Sequence, residues 1–177
     1  MELTPLTQKF ILHWGEMGTR WGVNRTVAQV HALLYLSPRP LDAEEIAKTL
    51  TVARSNVSTS LRELQSWGIV RPVHVLGDRR EHYESMTEVW EMARVILEER
   101  KRREIDPTLE MLRESMRELE SAPASERVLR SRIGEMLDFL ESLTALYEEA
   151  RRLPAGRLRG LLRATKKLRK AFGKGAS

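Results

Sequence analysis

Ser55, Asn56, Ser58 and Thr59 form a run of small polar side chains, with Arg54 before them and Arg62 one turn beyond. Short hydroxyl side chains let a backbone approach another polymer closely, while Arg and Asn match the hydrogen-bonding edges of guanine and adenine. With helical steps of 100° per residue, the apolar Val57, Leu61 and Leu64 fall within about 40° of Val57. Ser55, Thr59, Arg62 and Ser66 then fall on the opposite side, with Asn56 and Ser58 flanking. A merely solvated helix face favours Glu, Lys and Gln, which have better helix propensity than this run. The composition therefore favours a helix that reads DNA. A second group, Gly77-Asp78-Arg79-Arg80, places adjacent arginines in a turn. Such a tip suits a minor groove, where positive side chains meet enhanced negative potential, although hairpin turns are commonly polar for their own reasons.

A third group is aromatic. Trp14, Trp21, Tyr35 and Trp90, with Tyr83 nearby, form a sparse set able to cage a quaternary ammonium. They are a candidate effector pocket, but the preferred reading is core and interface packing, which aromatics dominate in any case. Other chemistry is poorly supplied. The chain has no cysteine, which excludes disulfides, thiolate metal sites and thiol nucleophiles. His13, His31, His74 and His82 show no i, i+4 pairing, so neither a metal nor a cofactor is expected. No phosphate-cradling loop, nucleophile elbow or Ser-His-Asp arrangement is present, and an enzyme is not expected.

These groups need elements to hold them. Leu3, Leu6, Phe10, Trp14 and Met17 predict a first helix over about 5–20. Thr26 and Gln29 have the spacing of a capping box for a second helix carrying Val27, Val30, Leu33 and Leu34 inward. Asp42 and Glu45 form another such box, with Leu41 and Ile46 as a hydrophobic staple, opening a short helix over about 43–50. The polar run lies on a helix over about 53–67 that ends at Gly68. Residues 69–76 and 81–86 have strand character around the turn at 77–80, and Pro72 marks an edge strand. Thr87 and Glu88 open a helix carrying Val89, Ala93, Ile96 and Leu97, and Asp106-Pro107 is expected to cap and restart it. Ile105, Leu109, Leu112, Met116 and Leu119 form one narrow heptad-like seam. Leu129, Ile133, Met136, Leu140, Leu143 and Tyr147 form a second, and such seams need partner helices.

Charge is unevenly placed along the 177 residues. The 30 Lys and Arg against 25 Asp and Glu give a net charge of +5, but ten of the bases and none of the acids lie from Arg151 onward. Residues 154–177 read as a basic amphipathic helix or tail, with Leu158, Leu161, Leu162, Leu168 and Phe172 on one side. The tail is expected to contact phosphates without sequence preference, or to pack through its leucine stripe. No stretch is long and apolar enough to span a bilayer, and the opening MELTPLTQ lacks signal-peptide character, so a cytoplasmic protein without membrane insertion is expected.

Two helices joined by a short turn and followed by a two-stranded ribbon make the pattern of a winged helix-turn-helix. The stretch from Asp78 to Thr87 resembles the wing signature of MarR-type regulators. Residues 64–70, Leu-Gln-Ser-Trp-Gly-Ile-Val, resemble that family's exit from its recognition helix. Residues 25–36 and 99–105 are similar to its GbsR branch, and the likeness covers roughly 5–150. The resemblance implies a homodimer built through terminal helices on pseudo-palindromic DNA, with Asp78 orienting the wing, Arg80 entering the minor groove and Arg79 beside it. It also makes a choline-like effector conceivable. Two residues depart from the pattern. Thr51 occupies the turn position that often holds Gly, and a β-branched residue resists positive φ. Ala53 replaces a common capping Ser.

The expected architecture is mainly α with a small β-wing, a winged helix-turn-helix core plus long dimerisation helices. The expected parts are an N-terminal dimerisation helix (1–24), a DNA-binding domain (25–87), a helical dimerisation region (88–153) and the basic tail (154–177). The expected function is a dimeric transcriptional repressor of double-stranded DNA, released by a small-molecule effector. The alternative is a winged-helix protein–protein module whose basic tail contacts anionic partners.

Overall fold

The computed structural model describes residues 3–153 together with Gly156, Arg157 and Gly160. The expected tail over 154–177 therefore lies almost wholly outside the described residues. Two compact units divide at Ile96 and Leu97.

The first unit opens with α1 (Pro5–Arg20), whose Thr4 side chain accepts from the Thr7 N–H and caps it. Next comes α2 (Arg25–Leu36), which starts two residues earlier than the Thr26 box predicts. Asn24 is the cap: its Oδ1 accepts from the Thr26 N–H at 2.8 Å, because Asn competes as well as Thr for that position. Gln29 does not close the expected box. Its side chain lies beside Gly15 of α1, where an added Cβ would stand 2.7 Å from Gln29 Cγ. At Gly18 an added Cβ would stand 2.5 Å from Ala28 Cβ. Two glycines one turn apart thus let α1 and α2 approach closely. From α2, Val27, Val30, Leu33 and Leu34 are buried as the periodicity predicts.

A two-residue strand, β1 (Leu41–Asp42), leads directly into α3 (Ala43–Leu50). The capping box at Asp42 and Glu45 forms on both sides, and the staple residues Leu41 and Ile46 are fully buried. The turn after α3 keeps left-handed geometry despite its β-branched residue: Thr51 sits at φ 55°, ψ 45°. The expected resistance to positive φ is overridden, since the cap N–H bonds Ala47 O and the next N–H, Val52, bonds the same carbonyl. Helix α4 (Arg54–Ser66) follows with no side-chain cap at Ala53. It buries Val57, Ser60, Leu61 and Leu64 and leaves through Gly68 at φ 74°.

The strands β2 (Val70–Val73) and β3 (His82–Ser85) are shorter than the stretches 69–76 and 81–86 that have strand character. Pairing ends at Val73 opposite His82, so the wing loop runs over 74–81 and not only 77–80. The sheet order is β1-β3-β2. This leaves β2 on an edge, as Pro72 requires. The third strand, β1, escapes a sequence reading because two residues carry no periodicity.

Helix α5 (Val89–Arg100) crosses from the first unit into the second. In the first unit it buries Met92, with Val95 and Ile96 against the core. In the second unit the chain passes through a π-helical turn (Lys101–Ile105) into α6 (Asp106–Glu118). Asp106 is helical and does not cap a restart. Its N–H reaches Lys101 O, and its carboxylate takes Lys101 Nζ at 2.8 Å. The widened turn makes room for the ring of Pro107 and its missing donor.

A 3-10 turn (Ala124–Glu126) precedes the long α7 (Arg127–Arg152). The first seam buries Leu109, Leu112 and Leu119. The second divides: Ile133, Leu140 and Tyr147 are half-buried, while Leu129, Met136 and Leu143 stay exposed. Arg113 and Glu141 join α6 to α7 at 2.8 Å. No described helix is long and apolar enough to cross a membrane.

Candidate nucleic-acid interface

Helix α4 presents the expected face. Arg54, Ser55, Asn56, Ser58, Thr59 and Arg62 are all exposed, while Val57 and Leu61 anchor the opposite side in the core. Arg62 folds back along its own helix, Nε donating to Ser58 O at 3.4 Å and Nη2 to Thr59 Oγ1 at 3.3 Å. Contacts this long are weak, so the guanidinium can extend away from the helix at little cost. Ser60 is the one hydroxyl of the run that is buried.

The wing is built around Asp78. Gly77 turns the chain at φ 85°, and the Asp78 N–H donates to Val75 O at 3.1 Å. Asp78 Oδ1 accepts from both the backbone N–H and Nε of Arg80 at 3.0 Å. Those two bonds, side chain first, hold the Asp78 carboxyl far below the usual carboxylate range. The second face of the Arg80 guanidinium reaches Asp42 Oδ2 at 2.8 Å. Asp42 is nearly fully buried, caps α3 and pairs with His82 across the sheet. One carboxylate therefore ties the start of the helix-turn-helix to the tip of the wing. Sequence reasoning found Asp42 as a cap and missed this second task, which depends on β1 bringing residues 42 and 80 together. Arg79 is exposed and enters no ion pair among the described residues. Leu76, at the loop's outer edge, is fully exposed.

Beside this clamp, Glu45 accepts from both Arg39 guanidinium nitrogens and from the Asp42 N–H. The Arg39 bonds outweigh desolvation and lower its carboxyl to about 2. Asp42, Glu45 and His82 offer ligand atoms within 4.8 Å of one another. Arg80 and Arg39 already supply positive charge to the two carboxylates, which gives that trio a structural role as an ion-pair network.

The aromatic set is only partly assembled as expected. Phe10 stacks on Trp14 at 5.3 Å between ring centroids, Trp14 meets His31 at 6.4 Å, and His31 meets Tyr35 at 6.3 Å. The ladder thus joins Trp14 to Tyr35 through a buried histidine that the sequence reading left aside. His31 Nε2 has no hydrogen-bond partner among the described residues, and burial pushes the imidazole down to about 4. Trp21 lies largely exposed at the end of α1, and Trp90 is half-buried on α5.

No curated protein matches the chain. A solved structure described as a transcriptional regulator superposes with a TM-score of 0.63 at 22% identity, over 82% of this chain and 95% of the other. The transcriptional regulator Tm0710 from Thermotoga maritima is 16% identical over 83% of this chain and 92% of its own, with a TM-score of 0.39. A mutant of S. aureus MepR bound to an oligodeoxyribonucleotide is also 16% identical, over 78% and 99%, with a TM-score of 0.39. Only the first of these scores is high enough to argue a shared fold. The helix-turn-helix and wing make this a winged-helix protein, and residues 21–81, from the end of α1 through α4 into the wing, match the model of the MarR family.

Proposed function

We propose that the chain is a cytoplasmic, sequence-specific DNA-binding transcriptional regulator of the MarR type. The observation that carries this is the outer face of α4. Six polar or basic side chains stand exposed there on a helix whose other side is locked in the core. In this reading α4 lies in a major groove and Arg62 contacts a base edge. The wing flanks it, with Arg79 at the minor groove. Arg80, oriented by Asp78 and Asp42, enters that groove beside Arg79.

The active form is a homodimer, which sets two α4 helices on successive major grooves. Exposed Leu6, Phe10 and Leu12 on α1 supply an apolar surface for the second copy. The regulator acts as a repressor, released when a small-molecule effector favours a geometry that cannot span both half-sites. The ring ladder of Phe10, Trp14, His31 and Tyr35 is the candidate effector contact, and the chain is assigned to the GbsR branch.

Selection of bound duplexes from genomic DNA, followed by titration of a recovered duplex against a random one, tests this reading. The expected result is a clear preference together with a steep fall of affinity with salt. Equal, salt-insensitive binding to both duplexes overturns it. One observation favours the second reading, a protein-docking module: Leu76 at the wing tip is wholly exposed. That reading predicts no duplex preference at all.

A further inference from the structure

The wing turns on a leucine held wholly in solvent. Leu76 is the most exposed large apolar side chain among the described residues. Single apolar side chains on a surface are ordinary, but this one is set apart by how it is held. The Val75 carbonyl accepts from the Asp78 N–H at 3.1 Å across Leu76 and Gly77. Gly77 takes a positive φ of 85° and Leu76 does not. That combination is a type II turn with Leu76 at its first corner. The next residues brace the turn, since Asp78 holds Arg80 and Arg80 reaches the buried Asp42. A polar residue could take the same corner and leave no apolar surface in water. Leu76 thus has no packing task inside the chain, and it stands three residues ahead of the exposed Arg79. The tip joins an apolar point to a cation on a fixed turn.

We propose that Leu76 is an apolar wedge that enters the minor groove between two stacked base pairs and opens that step. The proposal rests on the DNA reading given above and adds to it the side chain that deforms the duplex. Leucine is among the residues able to part base steps from the minor-groove side. The arginines beside it favour the negative potential of that groove, so the polar part of the tip supplies attraction while the leucine displaces a stacked neighbour. A docked protein would need a wider apolar surface than Leu76 and the exposed Val75 provide. A wedge also dictates which duplexes it favours. Pyrimidine–purine steps such as TA and CA unstack most easily. One of them is therefore preferred beneath each wing, at a place that the outer face of α4 does not read.

The test uses the full chain and a duplex recovered from genomic DNA. The adenine analogue 2-aminopurine brightens when it loses a stacked neighbour, and every TA or CA step carries an adenine on one strand. Placed in turn at the adenines flanking the α4 contact, it should brighten several-fold at one step per wing with the native chain and stay dim with Leu76→Ala. Replacing that step by a stiff AA step should weaken the native chain about tenfold and Leu76→Ala hardly at all. Leu76→Met, still apolar and unbranched at its tip, should keep both effects. Leu76→Ala should melt at the native temperature, which separates these losses from unfolding. No brightening at any step with the native chain overturns the wedge, and so does equal brightening with Leu76→Ala. Either result leaves the DNA reading standing so long as the recovered duplex is still preferred over random DNA. A native chain with no duplex preference removes the reading and the wedge together. If Leu76→Ala binds every duplex as the native chain does, the proposal falls and the leucine is left to a docked protein.

Discussion

Arg79 and Arg80 are neighbours in sequence and differ in what they hold. Arg80 is oriented by Asp78 and by the buried Asp42, whereas Arg79 faces solvent. Arg79→Ala should therefore weaken binding to every duplex alike, lower the salt slope by about 0.9 in magnitude and leave the melting temperature unchanged. Arg80→Ala should lower the melting temperature, because a buried carboxylate loses its charge partner. Calorimetry and DNA titration of the two variants separate the roles, and equal effects on stability would contradict the clamp. Arg62→Ala should cost about 1–3 kcal/mol on the preferred duplex and little on random DNA, as for one lost base contact. If random DNA weakens equally, Arg62 serves phosphate. His31 has a different consequence. Its folded-state value of about 4 lies below the ordinary 6.5. Above pH 6.5 the ring is neutral in both states and its contribution is complete. As pH falls toward 4 the unfolded chain gains a proton that the folded chain refuses, and roughly 3 kcal/mol of stability is lost. His31→Leu should flatten the unfolding free energy between pH 6.5 and 5, where few carboxylates titrate; an identical slope in both proteins would remove His31 as the cause.

At the scale of elements, the readable signals were those written in a few adjacent residues. The Asp42–Glu45 box, the Leu41–Ile46 staple, Gly68 and the two faces of α4 all formed as their chemistry dictates. What escaped depended on partners distant in sequence. Asn24 took the cap predicted for Thr26, and Gln29 lies beside Gly15 of α1. Strand β1 exists only because β3 is there to receive it. Asp106-Pro107 reads as a start, yet the helix continues by widening by one residue per turn. Thr51 shows tertiary context overruling a local preference. A β-branched residue held at φ 55° stores strain that Gly would not. Thr51→Gly is accordingly expected to raise stability by about 1 kcal/mol while leaving DNA affinity intact. Chemical denaturation checks it, and destabilisation would mean that the side chain stabilises the turn in some way its backbone geometry does not reveal.

On the scale of the whole molecule, the candidate reading head was legible because its function requires exposed polar side chains on an otherwise buried helix, and that contradiction is visible in composition. The wing's division of labour was not, since Arg79 and Arg80 are indistinguishable until Asp42 is placed. Assembly is likewise written only as unpartnered apolar faces. Those faces make a prediction that joins structure to DNA. A dimer with one α4 per copy must meet half-sites about one helical turn, or about 34 Å, apart. Light scattering at micromolar concentration should return about twice the 20.4 kDa chain mass. Inserting about half a turn of duplex between the recovered half-sites should then rotate the second groove to the far side and reduce binding to that of a single half-site. Adding a full turn restores the facing but not the separation. A rigid dimer should fail on that duplex too, and one able to open should recover. A single-chain mass together with indifference to both insertions would leave α4 reading DNA one copy at a time, and the exposed faces of α1 would need another occupant.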